Sequence, residues 1–436
     1  MNNKKHIQDQ TMKMFIRIAL FLFFISGIAH AMDITTLLKA VKDQPEVKFE
    51  ELSVAKSKKA VKKGYAPLFP KIYAVGSYEN YNSPTNFRPL PPTEVNIAAG
   101  ESIPFSDEIF RYGVKASMPI FAKEIFDTAK QLKTLTQKSE IRKKITLIQN
   151  ESIVVSLNST LEYLKQTKHF IKERIASLEE TRKILDIGVK NGRIPESEVF
   201  KIDKTIKSLY LQLSDISTKE IDVIRDIYSV TGIQIEGPVL MTLVVTPLAH
   251  GDYIALSLAR KDVDSAEQAV KIKKDYLYPK LFLNGFYTKN YGDAYNTGES
   301  IDRDYGAISV NVSFPLFDRT PYMDEEIAKI DLKKAKENYR KTKKDLDAKA
   351  KSLEQRRPVI EDAIGQAKKN IELSEEILNI SKVSFKNKRM TIEDYLKYEI
   401  DLLQAKADLS LWESKKWSLV AEQAVLYGQN LLGVVQ

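Results

Sequence analysis

The sequence predicts a mixed α and β chain built as two copies of one unit, each pairing a membrane-type β-hairpin with a very long antiparallel hairpin of coiled-coil helices. Three observations carry this. Segments recur at fixed offsets along the 436 residues, apolar residues fall on heptads through long stretches nearly free of proline and glycine, and shorter stretches upstream alternate apolar with polar residues.

The first element is an export signal. Lys4, Lys5, Lys13 and Arg17 precede an apolar run from Ile18 to Ile28 that ends at Ala29-His30-Ala31, the order of a secretory signal peptide with its small-residue cleavage site. The run falls short of the about 20 apolar residues a spanning helix needs, so residues 1–31 are assigned to the signal and the mature chain starts at Met32. The chain has no cysteine, which excludes disulfides and a Cys-linked lipid together. Loss of residues 1–31 removes four basic side chains and Asp9, taking the net charge from +9 to +6. Lys and Arg are interspersed with Glu and Asp rather than gathered among stacking aromatics, which argues against a nucleic-acid partner.

Self-comparison gives two offsets. Ala60-Val61-Lys62, Leu68, Pro70-Lys71, Gly76 and Tyr78 recur 209 residues later as Ala269-Val270-Lys271, Leu277, Pro279-Lys280, Gly285 and Tyr287. Ser117, Pro119, Phe121, Lys190-Asn191, Arg193, Leu213 and Gly232 recur 196 residues later as Ser313, Pro315, Phe317, Lys386-Asn387, Arg389, Leu409 and Gly428. The second offset runs for more than a hundred residues without a gap. That marks a repeated architectural element, and only the stretch between the two strands of each hairpin changes length.

The first repeat spans 32–232, with a helix, a β-hairpin at 71–120 and a coiled-coil hairpin at 122–232; a linker occupies 233–252; the second spans 253–436, with a helix, a β-hairpin at 280–317, a coiled-coil hairpin at 322–428 and a short tail. In the strands, Tyr112–Met118 and Ile308–Phe314 alternate at period two, one greasy face and one wet. Lys71–Tyr81 and Lys280–Tyr291 supply their partners, joined by the polar loops Asn82–Asp107 and Gly292–Asp304. Four strands per chain cannot close a membrane barrel, and open edges in lipid cost several kcal/mol per unsatisfied group. Closure demands copies: a dimer reaches eight strands and a trimer twelve.

In the helices, Leu157, Leu161, Leu164, Ile171, Ile175, Leu178 and Leu185 form a seam interrupted by Lys168 and Arg182. Ile202, Ile206, Leu209, Leu213, Ile216, Val223 and Ile227 line the returning helix, and the spacing of four and three is that of coiled coils. In the second copy Pro358 is expected to kink or interrupt the helix. The four histidines form no cluster of metal-ligand spacing, and no nucleophile elbow, phosphate loop or zinc-binding helix motif occurs. The sequence therefore predicts no enzyme, no catalytic residue, no metal and no cofactor.

Over essentially the whole mature length the duplicated order of these motifs, with strands ending in Ser-Met-Pro-Ile-Phe121 and Ser-Phe-Pro-Leu-Phe317, resembles the TolC family of outer-membrane efflux and secretion channels. The resemblance implies a homotrimer whose twelve strands form an outer-membrane β-barrel set in lipid and continuing into an α-helical periplasmic tunnel. It also implies a periplasmic adaptor, an inner-membrane transporter, and drugs, metals or proteins as cargo, by tripartite efflux or type I secretion. In the family the helix–helix turns form the periplasmic tip, which carries the gate and docks the adaptor. Here those turns read Gly192-Arg193-Ile194-Pro195-Glu196-Ser197-Glu198 and Lys388-Arg389-Met390-Thr391-Ile392-Glu393-Asp394. Lys388 stands where the family has glycine, Asp394 matches the acidic position, and helix capping is the simpler reading of both turns. Arg193, Glu198, Arg389 and Asp394 are candidates for inter-helix ion pairs that hold the tip closed. The competing reading is a soluble periplasmic coiled-coil adaptor or scaffold, which would carry one helical hairpin flanked by Gly-rich β modules.

Overall fold

The computed structural model describes residues 33–91, 95–245 and 251–436. The expected signal peptide and residues 246–250 of the expected linker lie outside the described residues. In chain order the elements are α1 (Ile34–Val41), α2 (Pro45–Tyr65), β1 (Lys71–Asn86), β2 (Phe105–Phe121), α3 (Lys123–Lys190), α4 (Glu196–Thr231), α5 (Ile254–Asp275), β3 (Lys280–Asp293), β4 (Ser300–Ser313), α6 (Thr320–Lys386) and α7 (Ile392–Tyr427).

The strands make one antiparallel sheet in the order β1-β2-β3-β4. Both hairpins share a register: Lys71 lies opposite Ser117 and Lys280 opposite Ser313, the positions the two offsets equate. Alternation sorts the sheet into two faces. Ile72, Val114, Met118, Leu283, Ile308, Val310 and Val312 point one way, and Lys71, Lys115, Ser117, Asn284, Ser309 and Asn311 the other. Ile308, Val310 and Val312 are 83%, 58% and 66% exposed, an aliphatic surface that water disfavours by about 25 cal/mol per Å² and hydrocarbon accepts. Exposed aromatic rings border it, Tyr78, Phe110 and Tyr112 towards the loops and Phe69, Phe314 and Phe317 towards the helices.

The strands run further than their alternation indicates: β1 continues past Tyr81 to Asn86, and β4 begins at Ser300 inside the expected loop. Beyond the greasy band both faces are polar, so pairing continues with no apolar phase to read. At the other end β4 stops at Ser313, short of the expected 317, where its one neighbour β3 begins at Lys280 opposite it.

The helices form a layer four wide. At 68 residues, α3 is about 100 Å long. Near the sheet it packs on α2 and α5, with Lys58 meeting Glu140 at 3.2 Å and Lys138 pairing Asp262; further away it packs on α4 and α7. The two charges that interrupt the seam are answered across it, Lys168 by Glu220 at 2.5 Å and Arg182 by both oxygens of Asp203 at 2.6 and 3.2 Å. The end of α4 abuts the start of α2, where the Gln44 amide donates to the Thr231 carbonyl at 2.6 Å. The end of α7 meets the start of α5, where Tyr253 and Tyr427 stack with ring centres 5.8 Å apart. Gly232 and Gly428, at φ +68° and +70°, end α4 and α7 in left-handed caps. Contrary to expectation, α6 runs through Pro358 uninterrupted. Leu353 and Ile360 are buried to either side, and Arg356 and Arg357 bond Glu422 and Gln423 of α7, so tertiary contacts hold the helix where one backbone donor is missing.

At mid-height α1 and residues 235–239 wrap α3, sharing a core with Leu431, Val434 and Val435. Half of the expected linker is thus structural: Asn158 bonds the Val239 carbonyl and N–H at 2.7 and 2.8 Å, and Thr242 pairs with Gln436. Glu151 is fully buried there and accepts from the Leu431 N–H at 2.9 Å. Burial pushes its carboxyl up to about 7. The layer stays open at both sides: β1 and β4 are edge strands, and α6 packs on α5 and α7 alone among the long helices.

Candidate functional site: the helix tips

The two helix–helix turns meet at the end of the layer away from the sheet, around one cleft of about 410 Å³. Their backbones match bond for bond. Asn191, Gly192 and Arg193 donate to Ile187, Val189 and Gly188, and Asn387, Lys388 and Arg389 donate to Val383, Phe385 and Ser384, all within 2.9–3.1 Å. Gly192 has φ +67° and Lys388 φ +58°, the one left-handed residue other than glycine among the described residues. The turn geometry therefore imposes on Lys388 a conformation that costs an L-residue about 1–2 kcal/mol.

The cap reading holds at the second turn. Thr391 accepts from the Asp394 N–H at 3.1 Å and donates its hydroxyl to the Asp394 carboxylate at 2.7 Å. At the first, Pro195 offers no side-chain cap, and Glu196 and Glu198 sit in the first turn of α4, where the helix dipole favours them.

The four charges singled out for inter-helix pairing do not pair with one another within the chain. Asp394 is held in its cap, and Glu198 meets Lys201 of its own helix at 3.0 Å. Among the described residues, Arg193 and Arg389 have no carboxylate at ion-pair distance. The tie between turns runs instead through Lys201, which reaches Glu393 of α7 at 2.6 Å. Ser197 stays exposed, and Arg193 and Lys388 stand at the cleft.

About two turns into α7 and about four turns before the end of α3 lies a cluster that sequence reasoning missed. Arg174 of α3, 3% exposed, pairs with Glu399 of α7 and donates to the Leu396 carbonyl at 3.1 Å. Ser177 and Tyr395 both donate to Glu399 Oε1, and the Tyr395 ring stacks on Phe385 of α6 at 5.0 Å. Burial pulls the Arg174 guanidinium below its ordinary value against the pull of Glu399, and burial, then Glu399, pushes the Tyr395 phenol up to about 12. The available signal was spacing: Arg174 lies three residues after Ile171 and four before Leu178, on the flank of a helix buried on two sides. Such a pair is costly to form and more costly to break singly, about 3–5 kcal/mol, so it makes the α3–α7 contact discrete. Among the described residues, no group of three or more His, Asp or Glu could hold a metal ion.

No family model matches the sequence, and no curated protein does. Solved structures match over nearly the whole chain. The Campylobacter jejuni CmeC outer membrane channel aligns at TM-score 0.75 with 17% identity, over 91% of this chain and 85% of its own. The outer membrane protein VceC of Vibrio cholerae aligns at 0.73 with 14% identity, over 90% and 95%. The open state of the Neisseria gonorrhoeae MtrE outer membrane channel aligns at 0.67 with 14% identity, over 91% and 89%. The chain has the fold of these outer-membrane channels, the fold implied by its resemblance to the TolC family.

Proposed function

We propose that three copies of this chain close into an outer-membrane channel, a passive duct from the periplasm to the exterior that works with a periplasmic adaptor and an inner-membrane transporter and is gated at the helix tips. One observation carries it: a sheet with one aliphatic and one polar face, unpaired at both edges, continues directly into a helical layer that is open at the same two sides. Neither edge is stable alone in lipid, and each is complementary in strand direction to the other. Three copies give twelve strands, an even number in the range of membrane barrels. The likeness to outer-membrane channels supports the same reading. In the gate, Lys201–Glu393 and Arg174–Glu399 tie α7 to its neighbours, and the exposed Arg193 and Arg389 are left for the adaptor.

Internal repetition sets the test. Within the chain Ser117 lies opposite Asn284; shifting each by its offset puts Ser313 opposite Val75 of the next copy. The chain has no cysteine of its own, so Val75→Cys with Ser313→Cys should oxidise to a covalent closed trimer, and the protein should give discrete conductance steps in planar bilayers. Release of the mature protein into the soluble periplasm on salt and carbonate washing would end this reading and leave the adaptor.

A further inference from the structure

We propose that the barrel selects for anions, its polar face forming a cationic lining that favours negatively charged solutes. The inference rests on the channel reading and adds the class of solute that passes.

Pairing register fixes which side chains share the polar face. Along the four strands its charged residues are Lys71, Glu79, Asp107, Arg111, Lys115, Lys280 and Arg303, five cations against two carboxylates. Glu79 is spent on Arg111 at 2.9 Å, and Lys280 is answered from below by Glu124 of α3 at 2.7 Å. Lys71 and Lys115 meet no carboxylate among the described residues, and Arg303 donates to the Asp302 carbonyl at 2.8 Å without meeting one. Each copy so leaves Lys71, Lys115 and Arg303 without a paired carboxylate, against one exposed acid, Asp107 at the loop end of β2, and the face keeps a cationic surplus. The strand carboxylates Asp302 and Asp304 belong to the opposite face by register, where Asp302 pairs with Lys289 at 2.9 Å and Asp304 accepts from Tyr287.

Repetition places more positive charge at the neck. Where α3 meets α5, Lys123 and Lys280 face Asp275, Asp127 and Glu124. At the equivalent contact between copies the offsets put Arg319 and Lys71 against Ala66, Met323 and Thr320, so the cations persist and all three carboxylates are gone. Asp318 remains nearby, with one oxygen accepting from the Thr320 N–H at 2.9 Å. Rings of Lys and Arg in a low-dielectric wall raise the local concentration of anions and exclude cations.

The test is the reversal potential of purified protein in planar bilayers across a potassium chloride gradient. Chloride should be preferred over potassium about twofold or more near 0.1 M salt, and less in 1 M salt, where screening shortens to about 3 Å. The triple variant Lys71→Gln, Lys115→Gln, Arg303→Gln should lose the preference while keeping heat-resistant assembly on gels, and Lys115→Glu should shift it towards potassium. Steps of conductance with no chloride preference, or a preference unchanged in the assembled variant, overturn the inference and leave the channel standing. Assembled protein that gives no steps at all removes the channel reading itself.

Discussion

Glu151 makes the mid-height core sensitive to pH in a direction that can be calculated. Its carboxyl is fully buried, one oxygen accepts from Leu431 N–H and the other finds no partner. Burial raises its folded value from 4.5 to about 7. A carboxyl raised on folding contributes its full stability below the unfolded value, and that contribution is lost as pH rises through the folded one. With about 1.36 kcal/mol per unit, ionisation opposes folding by about 1 kcal/mol at pH 5 and about 3 kcal/mol at pH 8. Glu151→Gln keeps an acceptor for Leu431 and cannot ionise. The variant should therefore be more stable than wild type by about 1 kcal/mol at pH 5 and by about 3 kcal/mol at pH 8, read from thermal or denaturant unfolding of the detergent-solubilised protein across pH. Equal differences at the two pH values, or a variant less stable at pH 8, would refute the argument that Glu151 is held against its charge.

Lys388→Gly should stabilise the second tip by about 1 kcal/mol and Gly192→Ala should destabilise the first by as much, measured by hydrogen exchange in the two turns. Arg174→Met alone leaves Glu399 buried without its partner and should cost about 3–5 kcal/mol, while Arg174→Met with Glu399→Leu costs much less; the single variant should also raise bilayer conductance if the pair holds the gate. A Cβ at Gly113 would lie 2.0 Å from the Tyr287 carbonyl oxygen, against 3.7 Å from the nearest atom at Gly76. Gly113→Ala should thus abolish heat-resistant assembly on gels and Gly76→Ala should leave it intact.

The helices were legible because their signal is long and redundant. A stretch of 68 residues holds many heptads, and Gly232 and Gly428 stop α4 and α7 at equivalent positions. The left-handed place at the second tip was legible too, since the offset of 196 aligns Lys388 with Gly192. Strand ends were not, because alternation vanishes once both faces meet water. Pro358 does not interrupt α6, since a local rule about one missing donor says nothing of the bonds Arg356 and Arg357 make to α7. The Arg174–Glu399 pair joins residues more than two hundred positions apart, so the spacing that sets Arg174 beside the seam says nothing of the partner it meets. Residues 235–239 read as a linker because the core they complete is assembled from α1, α3 and the last residues of the described chain.

The end-to-end stacking of α4 under α2 and of α7 under α5 gives the layer an uneven mechanics. Two of its four columns, α3 and α6, are unbroken struts from sheet to tip, while the other two are jointed at mid-height beside Gly232 and Gly428. If the proposed partner docks at the tips, torque applied there would be taken up at these joints, with the lower segments turning about the struts. On that reading the sheet above would be spared the strain and keep its register while the far end changes shape.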